Sequence, residues 1–379
     1  MSPAEHRAAK LATRLTFFVA GFGIACWAPL VPFAKARLAV DDGTLGLLLL
    51  CLGIGSVPAM LLTGMLSTRY GDRPLIIAGG VGLAALLPWL SIAATPIQLG
   101  LVLLGFGASL GSIDVAANIH ALEVEHASDR PLMSGFHALF SIGGFAGSAL
   151  MTGLLAVQIG AFTGTLICTA VMLAAIAAAA PRLLRAAKAE ETPLFVMPHG
   201  IVLLLAMLTA ITFLVEGAML DWSALLLTDT RLVEATHSGI GYMLFSIAMT
   251  TGRLVGDSVV ARIGDRATMM WGSCIAIAGF AVLLTGPNAA IALAGFLLIG
   301  LGASNLVPVL FRRAGAQRAM PVGLAVAAIT TTGYAGILVG PAGIGFIAKH
   351  SNLPTTFWIL AAMMSAVTLS ANRVARKDS

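Results

Sequence analysis

Apolar runs of roughly 20 residues recur along the chain from near residue 15 to near residue 372, parted by short stretches that hold most of the charge. Runs of that length cross a bilayer as helices; barrel strands are shorter and alternate. The pattern predicts an all-α membrane protein with twelve helices, over 14–36, 43–67, 74–94, 97–122, 131–158, 161–181, 199–228, 237–261, 267–286, 289–311, 321–348 and 354–372. One run is interrupted by chemistry. Between Gly105 and Asn118 in the fourth helix, Gly107, Gly111, Asp114 and Asn118 fall at i, i+4, i+7 and i+11, on one stripe. A carboxylate against lipid is costly, so this stripe is expected to face protein or water and marks a candidate site.

An even number of helices returns both termini to one side, and the charges choose that side. Of the 22 Lys and Arg, only Lys35, Arg37, Arg231 and Lys349 fall in outer loops and helix ends when the N-terminus is taken as cytoplasmic; the other 18 are inside. The positive-inside rule therefore puts both termini in the cytoplasm. The first apolar run follows a basic tail (Arg7, Lys10, Arg14) without an A-x-A cleavage site after it, so it is expected to stay as a helix.

Two halves repeat. Arg69-Tyr-Gly-Asp-Arg73 recurs as Arg262-Ile-Gly-Asp-Arg266 at an offset of 193, and Gly105-Phe-Gly-Ala-Ser109 recurs as Gly300-Leu-Gly-Ala-Ser304 at 195. Gly144-Phe-Ala-Gly147 recurs as Gly333-Tyr-Ala-Gly336 at 189. Each match lies on the corresponding helix, so a six-helix unit is duplicated in parallel about an axis normal to the membrane. The expected organisation is a bundle over 1–185, a charged linker over 186–198 and a bundle over 199–379. The duplication omits the acid: Val309 stands where the offset would place Asp114.

Composition narrows the function. Hydrophobic residues make up 58% and charged residues 10%, against about 45–50% and about 25% in soluble domains. The net charge of +5 is scattered over short loops, so no nucleic-acid partner is expected. The four cysteines lie in spans without metal spacing, and no nucleotide loop or nucleophile constellation occurs. Enzyme activity, a metal and a cofactor are therefore not expected.

Twelve helices in two parallel halves, a basic central loop and the Arg-x-Gly-Asp-Arg loops resemble the major facilitator superfamily. Cys26-Trp-Ala-Pro29, Asp114-Val-Ala-Ala-Asn118, Ser134-Gly-Phe-His137 and Glu216-Gly-Ala-Met-Leu-Asp221-Trp222-Ser223 are similar to its rhizopine-transport branch, related to fucose:proton symporters. That resemblance implies a secondary transporter working by alternating access in the bacterial inner membrane, with a site at mid-membrane between the halves. The superfamily loop motif departs here: Thr68 replaces its first Asp, and Asp72 replaces the first of its paired Arg. An acid in the first helix of fucose symporters is also missing, so sugar specificity does not carry over.

Only Asp114, Glu216, Asp221 and, nearer an end, Asp257 are acids well inside predicted helices, and Arg253 is the sole base within one. Because Arg253 is placed about two turns from the inner end, no base is expected at mid-depth to neutralise the acids. Asp114 and Glu216 are the expected proton carriers, since a buried unpaired carboxyl can hold a proton near neutral pH. Glu216 and Asp221 lie roughly 140° apart on an ideal helix; either one faces the cavity alone or Gly217 breaks the helix. Trp27, Asn118, His137, Ser141, Asp221, Trp222 and Asn305 are the candidate solute contacts, with His137 and Ser141 on one stripe of the fifth helix. For His137 a structural partner, and for Trp222 interface anchoring, is the competing reading. Arg69, Asp72, Arg73, Asp257, Arg262, Asp265 and Arg266 are candidate inner-gate residues, Arg pairing with Asp257 or with helix ends.

The solute is expected to be a small sugar, polyol or inositol-like molecule, moved with protons by a monomer. Drug or metabolite efflux, uncoupled facilitation, sensing and lipid handling are the other readings.

Overall fold

Proline and glycine set the interruptions in this all-helical chain, and the computed structural model describes residues 3–40, 42–128, 130–184, 197–229 and 240–375 of it. Helix α1 runs over Pro3–Trp27, starting well before residue 14 because Ala9 and Ala12 bury a face of the basic tail. Pro29 and Pro32 then deny the backbone two hydrogen-bond donors. The chain passes through a 3₁₀ turn at Ala28–Leu30 into α2, Val31–Leu38, which stops at Ala39 in a left-handed conformation (φ 49°). From α2, Arg37 donates to the carbonyls of Leu90 (2.9 Å), Ser91 (2.6 Å) and Ala93 (3.0 Å). It thereby caps the end of a later helix, where carbonyls are otherwise orphaned.

Helices α3 (Asp42–Tyr70) and α4 (Asp72–Ile92) meet at Gly71, and α5 (Pro96–His126) starts on an N-cap in which Thr95 accepts from Gln98 N–H at 3.2 Å. Then come α6 (Met133–Ala156), α7 (Ala161–Ala179), a 3₁₀ turn (Ala180–Arg182) and α8 (Ile201–Asp229). Helix α9 (Ile240–Thr285) is 46 residues long and bends at Gly264, which has φ 77°. Gly71, its partner in the repeated motif, has φ 74°. Both halves thus turn through the same left-handed glycine, a backbone state that a side chain would strain.

The duplication fails at the next step. Where α5 is unbroken for 31 residues, its counterpart splits into α10 (Ala289–Ala303) and α11 (Leu306–Ala316). Pro308 explains the split, because it lacks the N–H that would bond to the carbonyl of Ser304 four residues earlier. Helices α12 (Val322–His350) and α13 (Leu353–Ala375) complete the chain.

Among the described residues, ten helices are long and apolar enough to cross a membrane, and Val322–Ile337 is a shorter apolar stretch. The chain is a multi-pass membrane protein. It forms two compact units: Met1–Asp129 with Phe136–Met197 and Met320–Ala327, and Arg130–Gly135 with Pro198–Ala319 and Ala328–Ser379. Most of the expected linker, residues 186–196, lies outside the described residues. The first unit is built on an apolar cluster that includes Phe22, Leu83, Leu87, Phe106 and Met172. All four cysteines are free thiols, with Cys26 and Cys168 buried.

Candidate functional site

In the first unit the polar stripe of α5 divides in two. Gly107 and Gly111 pack on α3: a Cβ at Gly107 would strike the Leu52 carbonyl, and Ser56 donates to the Gly107 carbonyl at 2.8 Å. Those glycines therefore serve close helix packing. One turn further, Asp114 is half-buried and Asn118 fully buried. Asn118 Nδ2 donates to the Asp114 carbonyl (2.9 Å) and to its carboxylate Oδ1 (3.2 Å), while Asn118 Oδ1 is buried without a partner. The amide thus holds the acid in place and keeps an acceptor in reserve.

His137 is buried against Phe17 of α1, with ring centroids 5.1 Å apart, and Ser141 donates to its carbonyl at 3.4 Å. Trp27 belongs to the core of the unit, its indole N–H buried without a partner. His120 gave no signal in the sequence. It is buried in the last two turns of α5, where Nε2 accepts from Leu184 N–H and Nδ1 faces Thr13 Oγ1, both at 3.0 Å. It is therefore a neutral pin between α1, α5 and the end of the unit's last helical turn.

In the second unit the arrangement corrects the expectation that no base neutralises the membrane acids. Arg253 of α9 places Nη2 3.2 Å and 3.3 Å from the two carboxylate oxygens of Glu216 on α8. The pair is largely buried, with side chains 8% and 23% exposed. Helix α8 runs unbroken from Ile201 to Asp229, so Gly217 does not break it. The angular separation holds instead: Glu216 turns to Arg253 and Asp221 is exposed. Arg253 of α9 can meet an acid on α8 because a long guanidinium side chain extends well beyond its own Cα.

Arg253 has a second task. Its Nε donates to the Ser304 carbonyl at 3.3 Å, the acceptor that Pro308 leaves unsatisfied in the broken helix. Asn305, at the break, donates to the Gly252 carbonyl and to Ser304 Oγ, each at 3.0 Å, and its Oδ1 is buried without a partner. Trp222 is half-buried beside Gly345 of α12, its indole N–H unpartnered, as is the buried hydroxyl of Ser223. Glu216, Arg253, Ser304 and Asn305 thus form one hydrogen-bonded polar centre across α8, α9 and the α10–α11 break.

The charged residues near the repeated loops take several different partners. Asp257 accepts from Ser134 N–H (2.9 Å) and Gly135 N–H (3.0 Å) inside the second unit, capping the start of α6 with a full charge. Asp265 binds Arg312 (3.0 Å) and Arg313 (3.1 Å) of α11. Asp72 is buried at the start of α4 within electrostatic reach of Glu123. Arg69 lies over the Tyr70 ring at 5.4 Å, and Arg73 is half-buried. Arg262 and Arg266 are exposed and make no ion pair among the described residues. No group of three or more His, Cys, Asp or Glu among the described residues is placed to hold a metal.

Comparison with known proteins agrees with this architecture. The chain is 47% identical to an MFS-type transporter of Yersinia pestis over 97% of its own length and 96% of that protein. It is 31% identical to the membrane protein MosC of Rhizobium meliloti, over 90% of this chain and 84% of MosC. Among solved structures it resembles the fucose:proton symporter FucP of E. coli (TM-score 0.76, 15% identity, 98% of each chain). It also resembles the human organic anion transporter MFSD10 (TM-score 0.79, 14% identity, 98% of this chain and 100% of that one). At such identities the structures establish the fold alone. The Major Facilitator Superfamily model matches residues 15–319, and with these relatives it shows that the chain belongs to that superfamily of membrane transporters and is not an enzyme.

Proposed function

We propose that this transporter moves a small hydroxyl-rich solute, a sugar, polyol or inositol-like molecule, together with protons across the bacterial inner membrane by alternating access. The reading takes twelve spans, counting the ten candidate spans with α9 divided at Gly264 and adding the shorter stretch Val322–Ile337, in bundles over 1–185 and 199–379, with both termini cytoplasmic and the molecule a monomer. The observation that carries the coupling is the buried Glu216–Arg253 pair. Protonating Glu216 removes the charge that Arg253 neutralises, and Arg253 then keeps its bond to Ser304 at the α10–α11 break. Proton uptake is in this way transmitted to a helix already interrupted by Pro308. Asp114, held by Asn118, is the second carrier.

Carboxylate, guanidinium and amide groups with spare acceptors suit a ligand with several hydroxyls, and the names of FucP and of the proton:xylose symporter XylE point the same way. Trp27, His137, Ser141, Asp221 and Trp222 are proposed solute contacts. Asp257, with Arg69, Asp72, Arg73, Arg262, Asp265 and Arg266, is proposed to stabilise the inner gate.

Thermal stabilisation of the purified protein across a panel of polyols and sugars identifies the solute, and proton flux in proteoliposomes then tests the coupling. Asp114→Asn and Glu216→Gln are expected to abolish accumulation driven by a pH gradient. Full retention of that accumulation by both variants refutes the coupling assignment. Solute flux without proton flux indicates a facilitator, and extrusion of amphipathic cations indicates efflux.

A further inference from the structure

In the second unit a hollow lies where α9, just past its bend, meets the end of α13. Arg266, Leu369, Asn372, Arg373 and Ala375 line a cavity of about 630 Å³. No acid among the described residues lines it, and the neighbouring Asp265 commits its carboxylate oxygens to Arg312 and Arg313. Neither Arg266 nor Arg373 makes a hydrogen bond or ion pair among the described residues. The contrast with the end of the first unit is informative: there Arg182 donates to the Ala178 carbonyl at 2.6 Å and caps its own helix. Arg373, also in the last turn of its helix, leaves its guanidinium for something else.

Two free guanidiniums and a carboxamide facing one hollow make a strong anion receptor, since each guanidinium can grip a phosphate through two parallel hydrogen bonds. Arg266 lies within the first turn after Gly264, where the positive end of a helix adds to the field. The hollow also has an apolar wall: Leu369 is 79% exposed on the outside of a membrane-spanning helix. A free anion gains nothing from that wall, whereas an amphiphile lays its chain along it. Just deeper in the bundle, Ser273 and Thr368 hydroxyls hydrogen-bond at 2.7 Å and fix α9 to α13, so the two arginines are carried on helices held together.

We infer that this hollow is a binding site for an anionic phospholipid of the inner leaflet, its phosphodiester between Arg266 and Arg373, its headgroup on Asn372 and an acyl chain over Leu369. The site is independent of the solute and of proton coupling; the leaflet follows from the basic residues at this end of the bundle.

Native mass spectrometry of the full-length protein, delipidated in detergent, tests it with phosphatidylglycerol, phosphatidylcholine and inorganic phosphate in parallel. Phosphatidylglycerol is expected to bind in preference to phosphatidylcholine. Each Arg→Gln change should weaken it roughly fivefold and R266Q/R373Q about thirtyfold, from the usual attraction of a basic side chain to an anionic surface. R266K/R373K should keep most of the binding, and R182Q all of it. Melting without lipid reports whether the double variant is folded; a folded variant is expected to lose the added stability that phosphatidylglycerol gives. Undiminished phosphatidylglycerol binding by R266Q/R373Q, equal binding of the two lipids, or displacement by equimolar inorganic phosphate overturns the inference.

Discussion

Helix α5 and the α10–α11 pair carry the same Gly-x-Gly-Ala-Ser segment and part company after it. The first copy stays helical through 31 residues and carries an acid, Asp114, tied to an amide one turn later in the same helix. The second copy has Val309 in place of the acid and Pro308 beside it, and breaks. Its acid is supplied from another helix, α8, through Arg253. In one copy acid and amide pair within a single helix. In the other, three helices depend on one guanidinium, so a change of charge there is felt across the unit.

The largest effect expected from this difference concerns the ion pair. Arg253→Leu leaves a buried carboxylate without its counter-charge, and breaking such a pair from one side costs about 3–5 kcal/mol. Glu216→Leu should cost a similar amount, whereas the double variant, with no buried charge left, should recover most of the loss. Denaturation in detergent measures all three. Additive losses in the double variant would show that the two side chains act separately. Asn118→Ala is the matching change in α5; it removes the two local hydrogen bonds to Asp114 and should cost only about 1–2 kcal/mol.

Packing gives the next effect. At Gly256 of α9 an added Cβ would run into the Asn305 carboxamide, which bridges the helix break to Gly252. Gly256→Ala should destabilise by about 1–3 kcal/mol. At Gly107 of α5 the obstacle is the Leu52 carbonyl, backbone that cannot rotate away, so Gly107→Ala should be at least as damaging. If Gly256→Ala melts at the wild-type temperature, Asn305 is free to move and the break is not held by it.

A smaller effect separates two other equivalent positions. At the repeat offset of 193, Asp257 answers to Gly64, and Ser134 to Gly323 at 189. In the first unit Gly64 packs on Gly323 and Ala327; in the second, Asp257 caps Ser134 and Gly135 with a charge. Asp257→Ala should cost about 1–2 kcal/mol as a lost helix cap. The loss should shrink in high salt, as an exposed charge–dipole attraction would, only to the extent that water reaches the carboxylate. Measuring it at two ionic strengths tells how dry that contact is.

Much of this was legible beforehand. Helix length and the repeated glycine motifs are visible because the bilayer and the left-handed turn each demand particular residues, and Gly71 and Gly264 adopt nearly the same φ. The stripe through Asp114 and Asn118 was likewise readable, since both partners lie on one helix at i and i+4. Partners brought together from distant helices were not. Nothing in the sequence aligns Glu216 with Arg253, or His120 with Leu184, because such pairings follow from packing rather than periodicity. The sequence does hold one signal for the second site: a proline four residues after Ser304 announces an orphan carbonyl, and a buried arginine elsewhere is a natural donor for it.

That signal sets up the smallest expected effect. Pro308→Ala restores an N–H that can bond to the Ser304 carbonyl, removing about 3 kcal/mol of intrinsic helix penalty in a free helix. The native break has adapted to the proline through Arg253 and Asn305, so the net change in stability should be under about 1 kcal/mol. The informative measurement is coupling between sites. If Arg253 stabilises the break through Ser304, then Arg253→Leu should be less damaging in the Pro308→Ala background, because the carbonyl no longer needs the guanidinium; the part of the cost due to Glu216 should remain. Full additivity of the two changes would mean that the 3.3 Å contact carries no energy, and that α10 and α11 are divided by the proline alone.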